Sequence, residues 1–192
     1  MKNEVGTRDR MLTSAVQLIR ERGVAGATID AILSHSNAPR GSVYYHFPGG
    51  RTQIITEAID FAGTWITSII ERATTAADTR LVLRGFIETW KKILRASNFD
   101  AGCPIVAVAV DGMAEDPALR APAAAIFGQW RDALSVHLVA DGVDEARAAR
   151  LASVVIASIE GAVVLCRVEQ STDPLDHVGQ ELEELLATVL AK

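Results

Sequence analysis

Two cysteines in 192 residues, Cys103 and Cys166, are too few and too widely spaced for a disulfide framework or a metal-ligand motif. Each is expected to be a buried free thiol. The chain also lacks H-E-x-x-H, a phosphate-binding glycine loop and G-x-S-x-G, and its histidines (His35, His46, His137, His177) are scattered. No enzymatic chemistry, metal or cofactor is therefore expected. No stretch reads as the roughly 18 consecutive apolar residues of a membrane span. The opening Met-Lys-Asn-Glu-Val-Gly has no apolar run behind its charge, so no signal peptide is read and no membrane partner is expected. The expected location is the cytoplasm. No alternating strand pattern occurs either, which leaves helix as the regular structure.

What the chain does have is apolar material, 49% of its residues, repeating at helical spacing. Ile54, Ile55, Ala58, Ile59, Ala62, Trp65, Ile66, Ile69 and Ile70 predict a helix over about 51–75. Leu81, Leu83, Phe86, Ile87, Trp90 and Ile93 predict another over about 78–96. A shorter helix over 103–113 is entered at Pro104, and three more cover about 117–140, 144–168 and 174–190. The net charge of -5 is unevenly spread. Residues 1–54 hold seven Lys or Arg against four acids, whereas the remaining 138 hold twelve against twenty. A basic N-terminal part suits a phosphate partner, although an ordinary solvated surface can differ as much.

The most informative stretch is residues 28–47, TIDAILSHSNAPRGSVYYHF. Thr28 is suited to cap a short helix reaching about Ser34. His35, Ser36 and Asn37 break the pattern, and Asn37 suits a left-handed turn position. Pro39 suits the first position of a second helix. On that helix Val43 and Phe47, four apart, can pack on Ile29 and Ile32, which leaves Arg40, Gly41, Ser42, Tyr44, Tyr45 and His46 near the outer face. Arg40 can donate twice to guanine, Gly41 allows close backbone approach, and Ser42 can serve a base or a phosphate. Tyr44 and His46 suit phosphates, and Tyr45 a sugar or thymine methyl. The same pattern also fits a surface helical pair with incidental aromatics.

These residues, T-I-D-A-I and then P-R-G-S-V-Y-Y-H-F, resemble the helix-turn-helix of TetR-family transcriptional regulators over about residues 5–65. TRDRMLTSAVQLIRERG resembles that family's first helix, capped by Thr7 and ended at Gly23. The resemblance implies backbone contacts from Thr28 and Tyr44 and a base-facing surface of Arg40, Gly41, Ser42 and Tyr45, with His46 completing a Tyr-x-His-Phe signature. The family more often has Gly at Asn37 and Ser or Thr at Pro39. Its Phe-x-x-Lys spacing is one residue longer here, Phe47-Pro48-Gly49-Gly50-Arg51, which puts Arg51 in the place of a phosphate-contacting lysine. That variant, with Gly102-Cys103-Pro104-Ile105, resembles the branch containing the lincomycin-resistance repressor and flavonoid-responsive relatives, which implies a drug- or metabolite-responsive repressor.

The expected architecture is all-α, about nine helices: a DNA-binding domain over 5–65 and an effector-binding and dimerisation domain over 66–192. The run LASVVIASIEGAVVLC, residues 151–166, is apolar or small around most of its circumference, and Leu182, Leu185, Leu186 and Val189 form a second stripe. A homodimer joined as a four-helix bundle is expected, with Val154, Val155, Ser158, Ile159, Leu182, Leu185 and Leu186 at its interface. The same helices could instead be a monomer's core. Two reading helices about 34 to 36 Å apart would recognise a palindromic operator in double-stranded DNA. Trp65, Phe86, Trp90, Met113, Phe127 and Trp130 are candidates to surround an apolar or aromatic small-molecule effector, although each taken singly also suits ordinary core packing. Glu160, flanked by Ile156, Ala157, Val163 and Val164, needs a partner, for which Arg167 or an effector hydroxyl is a candidate. Two alternatives remain from the residues: an effector-binding dimer without specific DNA activity, and an activator of the same fold.

Overall fold

The structure, a computed structural model, describes residues 6–72 and 79–190. Among them the regular elements are all helical: α1 (Thr7–Gly26), α2 (Ile29–Ser36), α3 (Ser42–His46), α4 (Gly50–Arg72), α5 (Thr79–Ala96), α6 (Pro104–Ala107), α7 (Met113–Glu115), α8 (Arg120–Ala140), α9 (Glu145–Glu169) and α10 (Asp173–Leu190). A π turn over Val108–Gly112 joins α6 to α7, and a 3₁₀ turn over Pro117–Leu119 leads into α8. The expected helices over 51–75 and 78–96 correspond to α4 and α5, and residues 73–75 and 78 lie outside the described residues, as do the chain's two ends.

Packing divides the chain into two compact units. The first holds α1 to α3, α4 as far as Thr64, and residues 103–126; the second holds the rest of α4 from Trp65, α5, and the chain from Phe127 onward. Residues 103–126 pack with the N-terminal helices. Their buried Ile105, Val108, Leu119, Ala123 and Ile126 supply apolar surface to a unit whose own helices are short. Close approach helps: a Cβ on Gly112 would lie 2.8 Å from Val24 Cγ2, and one on Gly63 2.7 Å from Ile126 Cγ2.

In the first unit, α1 buries Met11, Ala15, Leu18 and Ile19 along one face. Gly23, at φ 70°, interrupts α1 as the sequence suggests, and a further turn reaches Gly26. Thr7 does not cap this helix: Gly6 stands at the cap position, and Thr7 Oγ1 accepts instead from Arg10 Nη2, one turn on.

In the second unit α5, α9 and α10 pack together, with Gly179 letting Ile87 approach to where a Cβ would be 2.8 Å away. Polar contacts pin these helices at their rims. Arg84 donates from Nε and Nη2 to the two oxygens of Glu183, each at 2.6 Å. Lys91, nearly buried, donates to Asp176 at 2.7 Å and Glu88 at 2.8 Å. Those bonds, Asp176's first, hold its pKa above the ordinary lysine value. By length and composition α9 is apolar enough to cross a membrane, contrary to the sequence expectation. A core helix passes the same test, and here Ala152, Val155, Ile159, Ala162, Val163 and Cys166 are buried within the unit.

Candidate functional site

The N-terminal motif folds from its own local chemistry. Thr28 caps α2, its hydroxyl accepting from Ala31 N–H at 3.1 Å, an interaction worth about 1 kcal/mol. The helix continues to Ser36, two residues beyond expectation, because the Ser36 hydroxyl donates back to the Ile32 carbonyl at 2.7 Å. Asn37 then takes the left-handed conformation, φ 50°, ψ 39°. Pro39 is not the first helical residue: α3 starts at Ser42, whose N–H and hydroxyl both donate to the Pro39 carbonyl, at 2.9 and 2.6 Å.

Five residues of helix cannot stand alone, and α3 is held by its inner face. Val43 and Phe47 are 1% and 0% exposed, and the Arg8 guanidinium lies 5.1 Å from the centre of the Phe47 ring. That leaves the other face free. Tyr44 is 66% and Tyr45 83% exposed, while Arg40 and Gly41 lie open in the turn before them. Arg40 has no bonding partner among the described residues. His46 is half-buried, edge-on to Tyr45 at 4.8 Å, and Ser42, half-buried, retains its acceptor lone pairs. Thr28 is exposed next to this surface in sequence, its oxygen engaged in the cap.

Arg51, which its position in the motif suggests as a phosphate contact, is engaged within its own unit. Its Nε donates to the Ala27 carbonyl at 3.1 Å, and Nη2 donates to the Val24 carbonyl at 2.5 Å and to Glu115 at 3.1 Å. Just before Arg51, Gly50 at φ 63° turns the chain into α4. Next to it the Thr52 hydroxyl donates to Asp116 at 2.6 Å, a bond that heads the causes holding that carboxyl below its ordinary pKa. Glu115 and Asp116 thus bind the first turn of α4 within the first unit. No sequence signal marks them, since their partners lie 64 positions away.

The second unit contains a cavity of about 30 Å³. Of the six residues expected around an effector, Phe86 and Trp130 line it. Trp90 is buried edge-on to Phe86 at 6.4 Å, Phe127 stands edge-on to Trp130 at 5.3 Å, Trp65 is 44% exposed, and Met113 belongs to the other unit. The walls are instead mainly aliphatic, from α5 (Val82, Leu83), α8 (Leu134, Leu138) and α9 (Val155, Ile156, Ile159), with Glu160 among them. Helical spacing carries that signal, but it is the spacing of any core. The volume is an order of magnitude below the roughly 300–1,000 Å³ of ordinary ligand sites, so a ligand must displace the lining.

The expected interface residues divide in a similar way. Val155, Ile159, Leu182 and Leu186 are buried within the protomer, where the cavity and the unit's core occupy them. Ser158 and Leu185 are half-buried, and Val154 is 45% exposed. With Val154, the exposed residues Ala157, Gly161, Val164, Leu165 and Val168 form a continuous apolar stripe on α9. Sequence periodicity could not say which face of α9 its own unit would cover.

Comparison with known proteins accords with these features. Residues 11–58 match the family described as bacterial regulatory proteins, tetR family, and residues 81–181 the transcriptional regulator LmrA/YxaF-like C-terminal domain. An uncharacterized HTH-type transcriptional regulator of Mycobacterium tuberculosis is 42% identical over 96% of both chains. The HTH-type transcriptional regulator LmrA of Bacillus subtilis is 28% identical over 94% of this chain and 96% of its own. A TetR transcriptional regulator from Legionella pneumophila, 20% identical, has the same fold, with a TM-score of 0.86 over 95% of this chain and 98% of that one. With a helix-turn-helix whose outer face is Arg40, Tyr44 and Tyr45, and with matches covering both of its parts, the chain belongs to the TetR family of DNA-binding transcriptional regulators, with an LmrA/YxaF-like C-terminal domain.

Proposed function

We propose that the protein is a homodimeric repressor that occupies a palindromic operator and leaves it when a small apolar effector enters the cavity of the second unit. The supporting observation is the two-sidedness of α3, with Val43 and Phe47 buried and Arg40, Tyr44 and Tyr45 presented outward. Arg40 is the base-reading residue, with Gly41, Ser42 and Tyr45 on the same surface; Thr28, Tyr44 and His46 contact the sugar-phosphate backbone. The protein acts in the cytoplasm, where its DNA is.

The α9 stripe supports the dimer. Valines and a leucine left exposed at helical spacing favour burial against an identical stripe, which a two-fold axis supplies. The effector reading is supported by the composition of the cavity walls and by its small volume, since a ligand that must widen the cavity favours the state in which it is wide. Helix α4 carries Thr52 near one end and Ile70, a cavity residue, near the other. Displacing Ile70 therefore acts on the same helix that Glu115 and Asp116 hold, and through it on the reading head.

The test is binding of the purified protein to fragments of its own upstream region across a salt series. Specific binding is expected to fall steeply with salt and to be lost in the Arg40→Ala, Tyr44→Ala double variant. Binding that is indifferent to both changes would refute the assignment. A reporter driven by the bound fragment then gives the sign: deletion of the regulator raises expression if it represses.

A further inference from the structure

We infer that Asp30 is a second base-reading residue, accepting from the N4 amino group of a cytosine beside the guanine that Arg40 takes; the inference rests on the DNA-reading assignment above. Asp30, Leu33 and Ser34 of α2 line one open groove with Pro39 and Arg40 of the turn that leads into α3. Leu33 is buried, whereas Asp30 and Arg40 are exposed. No hydrogen bond or ion pair joins the two charged side chains, and among the described residues neither has a partner. Elsewhere in the same unit Glu57, Glu115 and Asp116 are held by Arg8, Arg51 and Thr52. The cap of α2 is Thr28, whose hydroxyl accepts from Ala31 N–H. A place in the first turn also sets the Asp30 carboxylate favourably to the helix dipole, but that interaction calls for neither a groove nor a neighbouring arginine.

A carboxylate on a surface that meets phosphate repels it, which weakens binding at every sequence that offers the carboxylate no donor. An ionised Asp only accepts, and an Arg only donates. In the major groove guanine shows two acceptors, N7 and O6. Thymine shows the acceptor O4 beside its methyl, and adenine sets the acceptor N7 beside its N6 donor. Cytosine alone shows a donor, N4, with no acceptor. Arg40 and Asp30 thus match the two edges of a G·C pair. Their shared groove limits them to one base pair or to neighbours about 3.4 Å apart.

In the test the full-length chain selects duplexes from a pool of random sequence, and each position of the recovered half-site is then varied in competition binding. The wild type is expected to favour C over the other bases by at least about fivefold at one position. That position should coincide with, or adjoin, the one where Arg40→Ala erases a preference for G. Asn bonds adenine at N6 and N7, so Asp30→Asn is expected to move the preference from C to A. Asp30→Ala is expected to leave the four bases within about twofold of one another there, and to bind unrelated duplex more tightly than the wild type because the repulsion is gone. The side chain is exposed, so both variants are expected to fold. A base preference that is the same in the wild type and both variants would overturn the inference, leaving Asp30 as a helix-end or repelling charge. So would a shifted position more than about two base pairs from the one that Arg40 reads, because one groove could not serve both. Failure of the wild type to select any consensus would remove the DNA-reading assignment itself, and the inference with it.

Discussion

The two units expose opposite kinds of side chain. The first turns aromatic rings outward, with Tyr44 and Tyr45 in the open, and buries the apolar residues beside them. The second buries Trp90 and Trp130, at 2% and 1% exposure, leaves Trp65 at 44%, and turns small aliphatic residues of α9 outward, Val168 at 79%. Exposure alone does not distinguish a partner surface. A tyrosine offers a polar tip that can serve phosphate and sugar, while a valine offers nothing that water or phosphate can bond. The first surface suits a charged polymer, and the second suits burial against another apolar surface.

Leu165→Lys should have the largest effect. Across a two-fold axis it places like charges in a dry interface, a cost of several kcal/mol, so sedimentation should show monomers at concentrations where the wild type is dimeric. Thermal melting of the separated protomer should still be cooperative. A dimer that persists would mean that the α9 stripe faces something else. Next comes Arg40→Ala, expected to lose about 1–3 kcal/mol of specific DNA affinity with no change in the melting midpoint, because Arg40 supports nothing inside the fold. A fall in stability alongside the lost affinity would contradict that separation.

Arg51→Ala sharpens the contrast within the reading head. Its guanidinium binds two carbonyls and Glu115, so the variant should lose about 1–2 kcal/mol of stability, while the slope of DNA affinity against salt stays unchanged. A slope reduced by about one would restore Arg51 as a phosphate contact. The smallest effect is expected for Lys91→Met in the second unit, within about 1 kcal/mol, because both carboxylate partners are half in water. It has a pH signature. The folded-state pKa of Lys91 is raised, so the wild type's advantage is complete below the ordinary lysine pKa of about 10.4 and disappears as pH rises through the folded value. Denaturation curves for both proteins on the two sides of that pH measure it.

The turn motif was legible because its determinants are neighbours in the chain. Thr28 caps the helix it precedes, Asn37 adopts the backbone conformation its side chain tolerates, and Val43 and Phe47 are buried because they lie one helical turn apart. Pro39 misled by one turn: its fixed φ suits a helix start, but Ser42's two bonds to the Pro39 carbonyl make a separate turn first. For Arg51 the motif suggests an outward cation, but its bonds to the Val24 and Ala27 carbonyls and to Glu115 depend on residues far away in the chain.

The second unit was legible as helices but not as surfaces. Helix α9 is apolar on almost every side, so its periodicity could not separate Val155 and Ile159, facing the cavity, from Val154 and Leu165, facing out. Aromatic content pointed to six pocket residues, of which Phe86 and Trp130 line the cavity. Of the others, Trp90 and Phe127 stand edge-on to those two rings, Trp65 is 44% exposed and Met113 belongs to the other unit.

The sequence by itself determined the all-helical class, the reading motif and its outward Arg40, Tyr44 and Tyr45, because caps, turns and amphipathic spacing act over a few residues. Tertiary structure alone decided that residues 103–126 belong with the N-terminal helices, that Glu115 and Asp116 hold Arg51 and Thr52, and that Glu160 lies among the aliphatic residues of the cavity wall. Those are contacts between positions far apart in the chain, and which of several apolar faces finds which partner is decided when the core closes.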